Sequence, residues 1–187
     1  MSEANLAPVL VLGVGNTLLG DDGVGVHLVN QLSPWARDWR GDVELLDGGT
    51  QGLVLLGSIA GRGAVVLLDA VALGSAPGTV HLRQDLEVLD LSYRSTTAHE
   101  GNAGELLSAA LLLGDLPARI YLVGIEPACM GSGTGLSEPV KRAVPLALQA
   151  AWRAIAEALS ADPPPQAYPA GQPHGSQSEG RRSIPQV

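Results

Sequence analysis

Short aliphatic runs alternate with longer amphipathic stretches along most of the chain. Runs rich in Val, Leu and Ile recur at residues 9–12, 43–46, 64–68, 79–82 and 119–123. Most of them are continuously apolar, which is typical of β-strands that are buried on both faces. The stretches between and after them predict helices over residues 23–32, 53–60 and 104–113, and from 137 to about 159. This alternation predicts an α/β fold with three layers, in which helices flank a twisted, mostly parallel five-stranded sheet.

Proline and glycine modify this pattern at two places. The run at 79–82 follows Pro77 and Gly78 and is the candidate for an antiparallel strand. Pro145 lies inside the last predicted helix. We expect it to kink or interrupt that helix, because proline lacks the N–H group that an inner turn requires.

The composition changes sharply after residue 161. Residues 162–187 are rich in Pro, Gly, Ser and Gln and contain few aliphatic side chains. Such a segment buries too little apolar surface to offset the entropy that it would lose on ordering. We therefore predict a single α/β domain over residues 1–161 and a disordered tail over residues 162–187.

Charge and composition restrict the partners and the compartment. The formal net charge is -8 and the isoelectric point is about 4.8, which argues against nucleic acid and anionic membrane surfaces as partners. Cys129 is the only cysteine, which excludes an intrachain disulfide and a thiolate metal cluster. The longest apolar runs, such as 106–113, are shorter than the ~18 residues of a membrane span, and no signal-peptide pattern is present. We expect a cytoplasmic monomer with no membrane partner.

The turn after the first apolar run carries the first candidate site residues. The segment VLGVGNTLLGDDGVG places Asn16 in a glycine-containing turn and puts Asp21 and Asp22 at the start of a helix. Its GVGN sequence resembles a dinucleotide-binding fingerprint, but Leu18 stands where that pattern has its third glycine. Carboxylates at a helix N-terminus suit capping and the helix dipole, and they hinder phosphate binding. The turn therefore favours a metal or another cation over a nucleotide.

The polar residues of this turn have alternative roles. Neighbouring side chains rarely point the same way, so we expect Asp21 to cap the helix and Asp22 to face the carboxyl edge of the sheet. The alternative is a capping acid beside a solvated first-turn acid. Asn16 is either a turn residue that bonds its own backbone or a polar group that is oriented into a site.

Asp69 and His99 complete the candidate set. Asp69 directly follows an aliphatic run, and an acid at the end of a parallel strand lies at the carboxyl edge, where open α/β sheets bind ligands. His99 lies in the polar loop STTAHEGNAGE. Asp22, Asp69 and His99 form an oxygen–oxygen–nitrogen set that suits nickel or zinc and leaves coordination positions open. The alternatives are a turn role for Asp69 and a surface position for His99. Structural, exposed or inert roles are predicted for His27, His81, His174 and Cys129.

Five segments in order carry a family resemblance: GVGNTLLGDDGVG, DGGTQG at residues 47–52, LLDAV with Asp69, TTAHEGNAGELL with His99, and VGIEPACMGSGTGLSEPV. The combination resembles the hydrogenase maturation endopeptidases, which process the large subunit of nickel–iron hydrogenases. It extends from about residue 9 to residue 156. Many members have Glu where Asp22 stands, and the family reads GIQP where this chain reads GIEP. The tail has no counterpart in the pattern.

The resemblance implies an enzyme and a substrate class. Members have an α/β fold and remove a short C-terminal peptide from the large-subunit precursor after nickel insertion. By resemblance, Asp22, Asp69 and His99 are the catalytic and nickel-binding residues, and the nickel arrives in the precursor. Metal held there would polarise the scissile carbonyl group or activate water. Supporting positions in the site are Asn16, Asp21, Gly49 and Thr50.

Two other functions stay open at this point. The GVGN sequence and the lack of a recognisable nucleophile are compatible with a non-catalytic module that binds nickel or a nucleotide. The same acids and histidine would also suit a metal-dependent hydrolase of a small substrate.

Overall fold

Strands and helices alternate along the part of the chain that a computed structural model describes, which is residues 7–39, 41–94 and 103–160, without the side chains of 91–94. The strands are β1 (Val9–Val14), β2 (Val43–Gly49), β3 (Ala64–Ala70), β4 (Val80–Gln84) and β5 (Arg119–Ile125). The helices are α1 (Val24–Leu32), α2 (Leu56–Ile59), α3 (Leu86–Arg94), α4 (Ala103–Leu113) and α5 (Glu138–Ser160). Short 3-10 helices cover Gly20–Gly23, Ser33–Trp39 and Gly52–Leu55.

The strands form one five-stranded sheet in the order β2-β1-β3-β5-β4. All neighbours are parallel except β4, which pairs antiparallel with β5. The predicted α/β class and the antiparallel run are therefore confirmed. The chain leaves β1 for β2 on one side and returns to β3 on the other side. In open α/β sheets, ligands bind in the crevice that such a reversal opens at the carboxyl ends of the strands. Here that crevice lies between β1 and β3.

Two apolar cores cover the two faces of the sheet. Because side chains alternate along a strand, Val9 and Val11 pack against α1 and α5, whereas Leu10 and Leu12 pack against α2, α3 and α4. This arrangement gives the three predicted layers. No helix among the described residues is both long enough and apolar enough to cross a membrane.

Helix α3 was not predicted from the sequence. Its residues, LEVLDLSYR, alternate apolar and polar positions as a strand would, except at the adjacent apolar pair Val88 and Leu89, so the periodicity is ambiguous. Val88 and Leu89 are buried in the core with α4, and the backbone N–H groups of both donate to the carbonyl oxygen of Asp85. Packing of this adjacent pair decides the conformation. The predicted helix over 53–60 is a 3-10 turn that is followed by the single turn of α2.

Pro145 does not interrupt α5, which runs without a break from Glu138 to Ser160. Proline removes the hydrogen bond that its N–H would make to the carbonyl group of Lys141, one turn earlier. Both residues are exposed, so water can bond that carbonyl group and the loss is tolerated. The predicted tail, residues 162–187, and the last residue of the predicted domain lie outside the described residues.

Helix α1 lies unusually close to the sheet at the crevice between β1 and β3. A Cβ atom on Gly25 would overlap the carbonyl oxygens of Leu68 and Val14, and one on Gly13 would overlap the backbone of Gly25. Only glycine allows this approach. The helix start, and with it the turn that carries Asp22, is therefore seated directly over the ends of β1 and β3.

Replacing Gly25 with Ala should destabilise the fold by about 3 kcal/mol, because the new methyl group forces α1 off the sheet. Gly57→Ala is the matched control, since the Cβ position of Gly57 in α2 has no atom within 4 Å. Alanine is the better helix former there, so this variant should be neutral or slightly more stable. Urea unfolding followed by circular dichroism measures both. Equal effects of the two substitutions would contradict the close-contact explanation.

Candidate active site

The turn between β1 and α1 is shaped by its own polar side chains. The backbone N–H of Leu18 donates to Oδ1 of Asn16 at 2.9 Å, and the backbone N–H of Asn16 donates to Oδ2 of Asp22 at 2.8 Å. Gly15, which has a φ of 123°, donates its N–H to the carbonyl oxygen of Gly49 at 2.9 Å. The bond between Leu18 and Asn16 is the turn interaction that was predicted for Asn16. The bond between Gly15 and Gly49 connects this turn to the end of β2.

Asp21 does not cap a helix, and that expectation is wrong. Neither the 3-10 turn Gly20–Gly23 nor α1 has a side-chain cap. The buried carboxylate instead accepts bonds of 2.6–2.9 Å from the N–H groups of Ala128, Cys129 and Ser137 and from the Ser137 hydroxyl. Burial by itself would raise the pKa of Asp21, but these hydrogen bonds, led by that of the Ser137 N–H, outweigh it and lower the pKa.

Backbone bonds extend the contact between this turn and the loop 126–137. Asp21 and Gly20 donate their N–H groups to the carbonyl oxygens of Cys129 and Gly133, and Gly133 donates to Leu18, all at 2.9–3.0 Å. The loop that follows β5 is thus fastened to the turn that follows β1. Sequence reasoning could not have found this, because the partners of Asp21 are 107–116 positions away.

Asp69 is the buried acid of the crevice, with 8% of its surface exposed. Its Oδ1 accepts the N–H of Ala70 at 2.7 Å, and the N–H of Ala103, at the first turn of α4, also bonds the carboxyl group. Burial is the main cause that raises the pKa of Asp69 to about 8, and the negative charge of Asp22 adds to it. The two carboxyl groups are therefore close enough for their charges to interact, and their joint role in one site stays a prediction.

The other predicted site residues have mixed outcomes. Gly49 contacts the β1 turn through its carbonyl oxygen, and Thr50 is exposed in the turn after β2. His99 lies outside the described residues. Within residues 7–39, 41–94 and 103–160, no three His, Cys, Asp or Glu side chains are placed to hold a metal ion together. The role of His99 and the supporting role of Thr50 stay predictions.

A third buried carboxylate lies beside this site. Glu126 directly follows β5 and accepts the N–H groups of Leu73 and Gly74 at 3.0 and 2.9 Å. His81 Nε2 lies 3.2 Å from its Oε2. Burial would raise the pKa of Glu126, but these bonds, with one from the Ser75 N–H, outweigh it and lower the pKa. Glu126 thereby fixes the segment that follows Asp69.

Sequence reasoning missed the role of Glu126, although a signal was present. An acid directly after a buried aliphatic strand is the pattern that identified Asp69, and Glu126 follows the strand residues of β5 in the same way. In register, Asp69 and His81 both pair with Gly124, from opposite sides of β5. The buried pair therefore lies one strand away from Asp69.

The two carboxyl groups of the crevice can serve as oxygen ligands for a cation. Asp69 keeps its proton at neutral pH because its pKa is about 8. A carboxyl group must lose its proton to bind a metal, so a cation that enters the crevice would displace this proton. The backbone N–H of Ala103, at the N-terminus of α4, donates to the same carboxyl group. The helix N-terminus therefore stabilises the negative charge that Asp69 acquires when it loses its proton.

Comparisons with known proteins identify relatives over most of the chain. A family model described as hydrogenase maturation protease matches residues 26–154. The hydrogenase 2 maturation protease of Escherichia coli K12 is 38% identical over 151 residues, covering 80% of this chain and 91% of the relative. The solved structure of the hydrogenase maturating endopeptidase HybD from E. coli has a TM-score of 0.70 at 35% identity, over 80% of this chain and 92% of that one. A hydrogenase 2 maturation peptidase from a Thaumarchaeota archaeon has a TM-score of 0.60 at 33% identity, over 79% and 97%.

Replacing Asp69 with Asn should remove a pH dependence of stability. In the wild type, the pKa of about 8 in the folded state exceeds the ordinary value of 3.8, so the stabilisation is complete below about pH 4 and is lost as pH rises to about 8. The free energy of unfolding falls by about 1.4 kcal/mol per pH unit at most. Asparagine keeps the acceptor for Ala70 and does not ionise. The free energy of unfolding of Asp69→Asn minus that of the wild type should therefore increase with pH up to about pH 8 and stay constant above it. Urea unfolding with a chelator measures it, and parallel pH curves would contradict the assignment.

Replacing Asp21 with Asn should destabilise the fold by about 3 kcal/mol at pH 7, because an amide group presents N–H donors to the N–H groups of the loop 126–137. Since the folded-state pKa is lowered, the stabilisation by Asp21 is present above about pH 4 and is lost as pH falls through the folded-state pKa. Asp47→Asn is the control, as Asp47 is exposed and accepts one N–H from Gly49. Thermal unfolding at pH 7 compares them, and equal losses would argue against the buried network.

Proposed function

The chain belongs to the hydrogenase maturation protease family, and from this premise we propose that it removes a C-terminal extension from the precursor of a nickel–iron hydrogenase large subunit after nickel has been inserted. As a member of that family the protein is a hydrolase that cleaves peptide bonds. The proposal that this activity depends on nickel is supported by the proximity of the Asp22 and Asp69 carboxyl groups at the crevice between β1 and β3.

We propose that Asp22, Asp69 and His99 recognise the nickel ion that the precursor carries. Two carboxylate oxygens and one imidazole nitrogen suit an ion of intermediate softness and leave positions open for the ligands of the precursor. The helix start that bonds Asp69, Ala103, lies four residues after His99. This short separation along the chain supports the inclusion of His99 in the proposal.

The raised pKa of Asp69 supports a checking role for the site. In the proposal, Asp69 is neutral until a cation displaces its proton, so a precursor without nickel meets a protonated, weakly coordinating site. Nickel bound as part of the substrate polarises the scissile carbonyl group or activates the attacking water. The water adds to the carbonyl carbon, the C–N bond breaks, and the leaving amine takes up a proton.

The competing functions have less support. Nucleotide binding would use the N–H groups of the turn after β1, but the N–H of Asn16 is already bonded to the Asp22 carboxylate. Family membership favours a protease over a non-catalytic module and over a hydrolase of small substrates.

Incubation with a cognate, nickel-loaded precursor should shorten the large subunit, and a nickel-free precursor should stay intact. We expect Asp22→Ala, Asp69→Ala and His99→Ala each to slow processing by more than about 100-fold. Asp42→Ala is the matched control, since Asp42 is exposed just before β2, at the opposite edge of the sheet. Gel mobility and intact mass measure the product. Absence of shortening would refute the proposed function, and equal cleavage without nickel would refute nickel recognition.

A further inference from the structure

Three large apolar side chains are exposed on the turns at the carboxyl edge of the sheet. Leu18 is 64% exposed, Leu53 is 49% exposed and Val54 is 77% exposed. We call these three residues the apolar rim. The other large apolar side chains that are exposed among the described residues lie outside the turns that follow β1 and β2. They are Trp35, Leu86, Leu112, Leu113, Leu146 and Leu159.

The apolar rim belongs to the turns that follow β1 and β2, at the same sheet edge as the crevice. Leu18 lies in the turn after β1, and Leu53 and Val54 lie in the 3-10 helix Gly52–Leu55 after β2. β1 and β2 are adjacent and parallel, so their carboxyl ends meet at one edge. The N–H of Gly15 on the carbonyl oxygen of Gly49 joins the two turns. The rim is therefore on the same edge as Asp22 and Asp69.

The exposure of Val54 results from a fixed backbone. Leu55, the next residue, is only 2% exposed and is buried in the core under β1 and β3. This anchor holds the short 3-10 helix in place and directs Val54 outward. Outward apolar side chains with polar neighbours are typical of protein–protein contact surfaces.

Charge indicates which partner such an edge accepts. Asp47 lies near the carboxyl end of β2 and Asp22 lies in the 3-10 helix Gly20–Gly23 that follows β1, and the whole chain carries a formal charge of -8. An acidic edge with an apolar rim suits a partner surface that is apolar around a cationic centre. A protein that holds a divalent cation near its surface has this chemistry, whereas a free acidic peptide does not.

We propose that the apolar rim is the docking surface for the folded, nickel-bearing body of the large-subunit precursor. This inference rests on the proposed function. The nickel ion of a folded precursor reaches Asp22 and Asp69 only if the precursor approaches the carboxyl edge of the sheet. Leu18 and Val54 would then lie in the contact between the precursor and this protein. The rim contributes to the capture of the precursor and not to peptide-bond cleavage.

Substitutions at the rim should separate capture from chemistry. Leu18→Ser and Val54→Ser should each raise the KM for the nickel-loaded precursor about tenfold, as expected for buried interface contacts. The kcat at saturating precursor should stay within about twofold of the wild type. Leu112→Ser is the matched control: Leu112 is 87% exposed, and it lies at the end of α4, before β5 starts at the opposite edge. Its KM should not change, and all three variants should unfold like the wild type.

A binding assay keeps the failure of the rim distinct from the failure of the proposed function. Calorimetric titration of each variant with the nickel-loaded precursor reports affinity whether or not cleavage occurs. Unchanged KM and affinity in Leu18→Ser and Val54→Ser, with normal cleavage, would overturn the docking surface and leave the proposed function intact. Equal losses in Leu112→Ser would overturn it as well. Weakened binding at the rim alone would support it even if the wild type cleaved nothing, which would count against the proposed function only.

Discussion

The close contact between α1 and the ends of β1 and β3 is the constraint on which the site depends. Gly25 lets the helix backbone rest on the carbonyl groups of Val14 and Leu68, so the preceding turn has no freedom to move away from the sheet. Asp22 is held over the crevice where the strand order reverses, next to Asp69. Side-chain chemistry supplies the acids, but backbone proximity brings them to one place.

The supply of N–H donors distinguishes the buried acids of this edge. Asp21 accepts three backbone N–H groups and one hydroxyl, and Glu126 accepts backbone N–H groups together with His81, so both have a lowered pKa. Asp69 is also buried, but it has fewer donors and a neighbouring negative charge, so burial raises its pKa. Two acids are thus structural because they are satisfied. The third keeps a proton that a cation can replace.

The sequence was sufficient for features that depend on local pattern. Continuous aliphatic runs predicted the strands, and the rule for parallel sheets predicted that Asp22 and Asp69 meet at the carboxyl edge. Long-range contacts were beyond it: the partners of Asp21 are more than a hundred positions away, and α3 is a helix because of its packing on α4. The effect of Pro145 depended on solvent exposure, which periodicity alone does not report. Convergence of His99 with the two acids stays a prediction.

The Asp21 tether also affects when during synthesis the site can form. Its bonds to the loop 126–137 require β5, which inserts between β3 and β4 although β4 precedes it in the chain. Contacts between residues so far apart in the sequence form late in folding, because closing a long loop costs conformational entropy before the contacts can compensate for it. A nascent chain that has only its first four strands lacks this restraint on the turn that carries Asp22. We therefore expect proteolytic competence to arise only after β5 and the loop that follows it have been made.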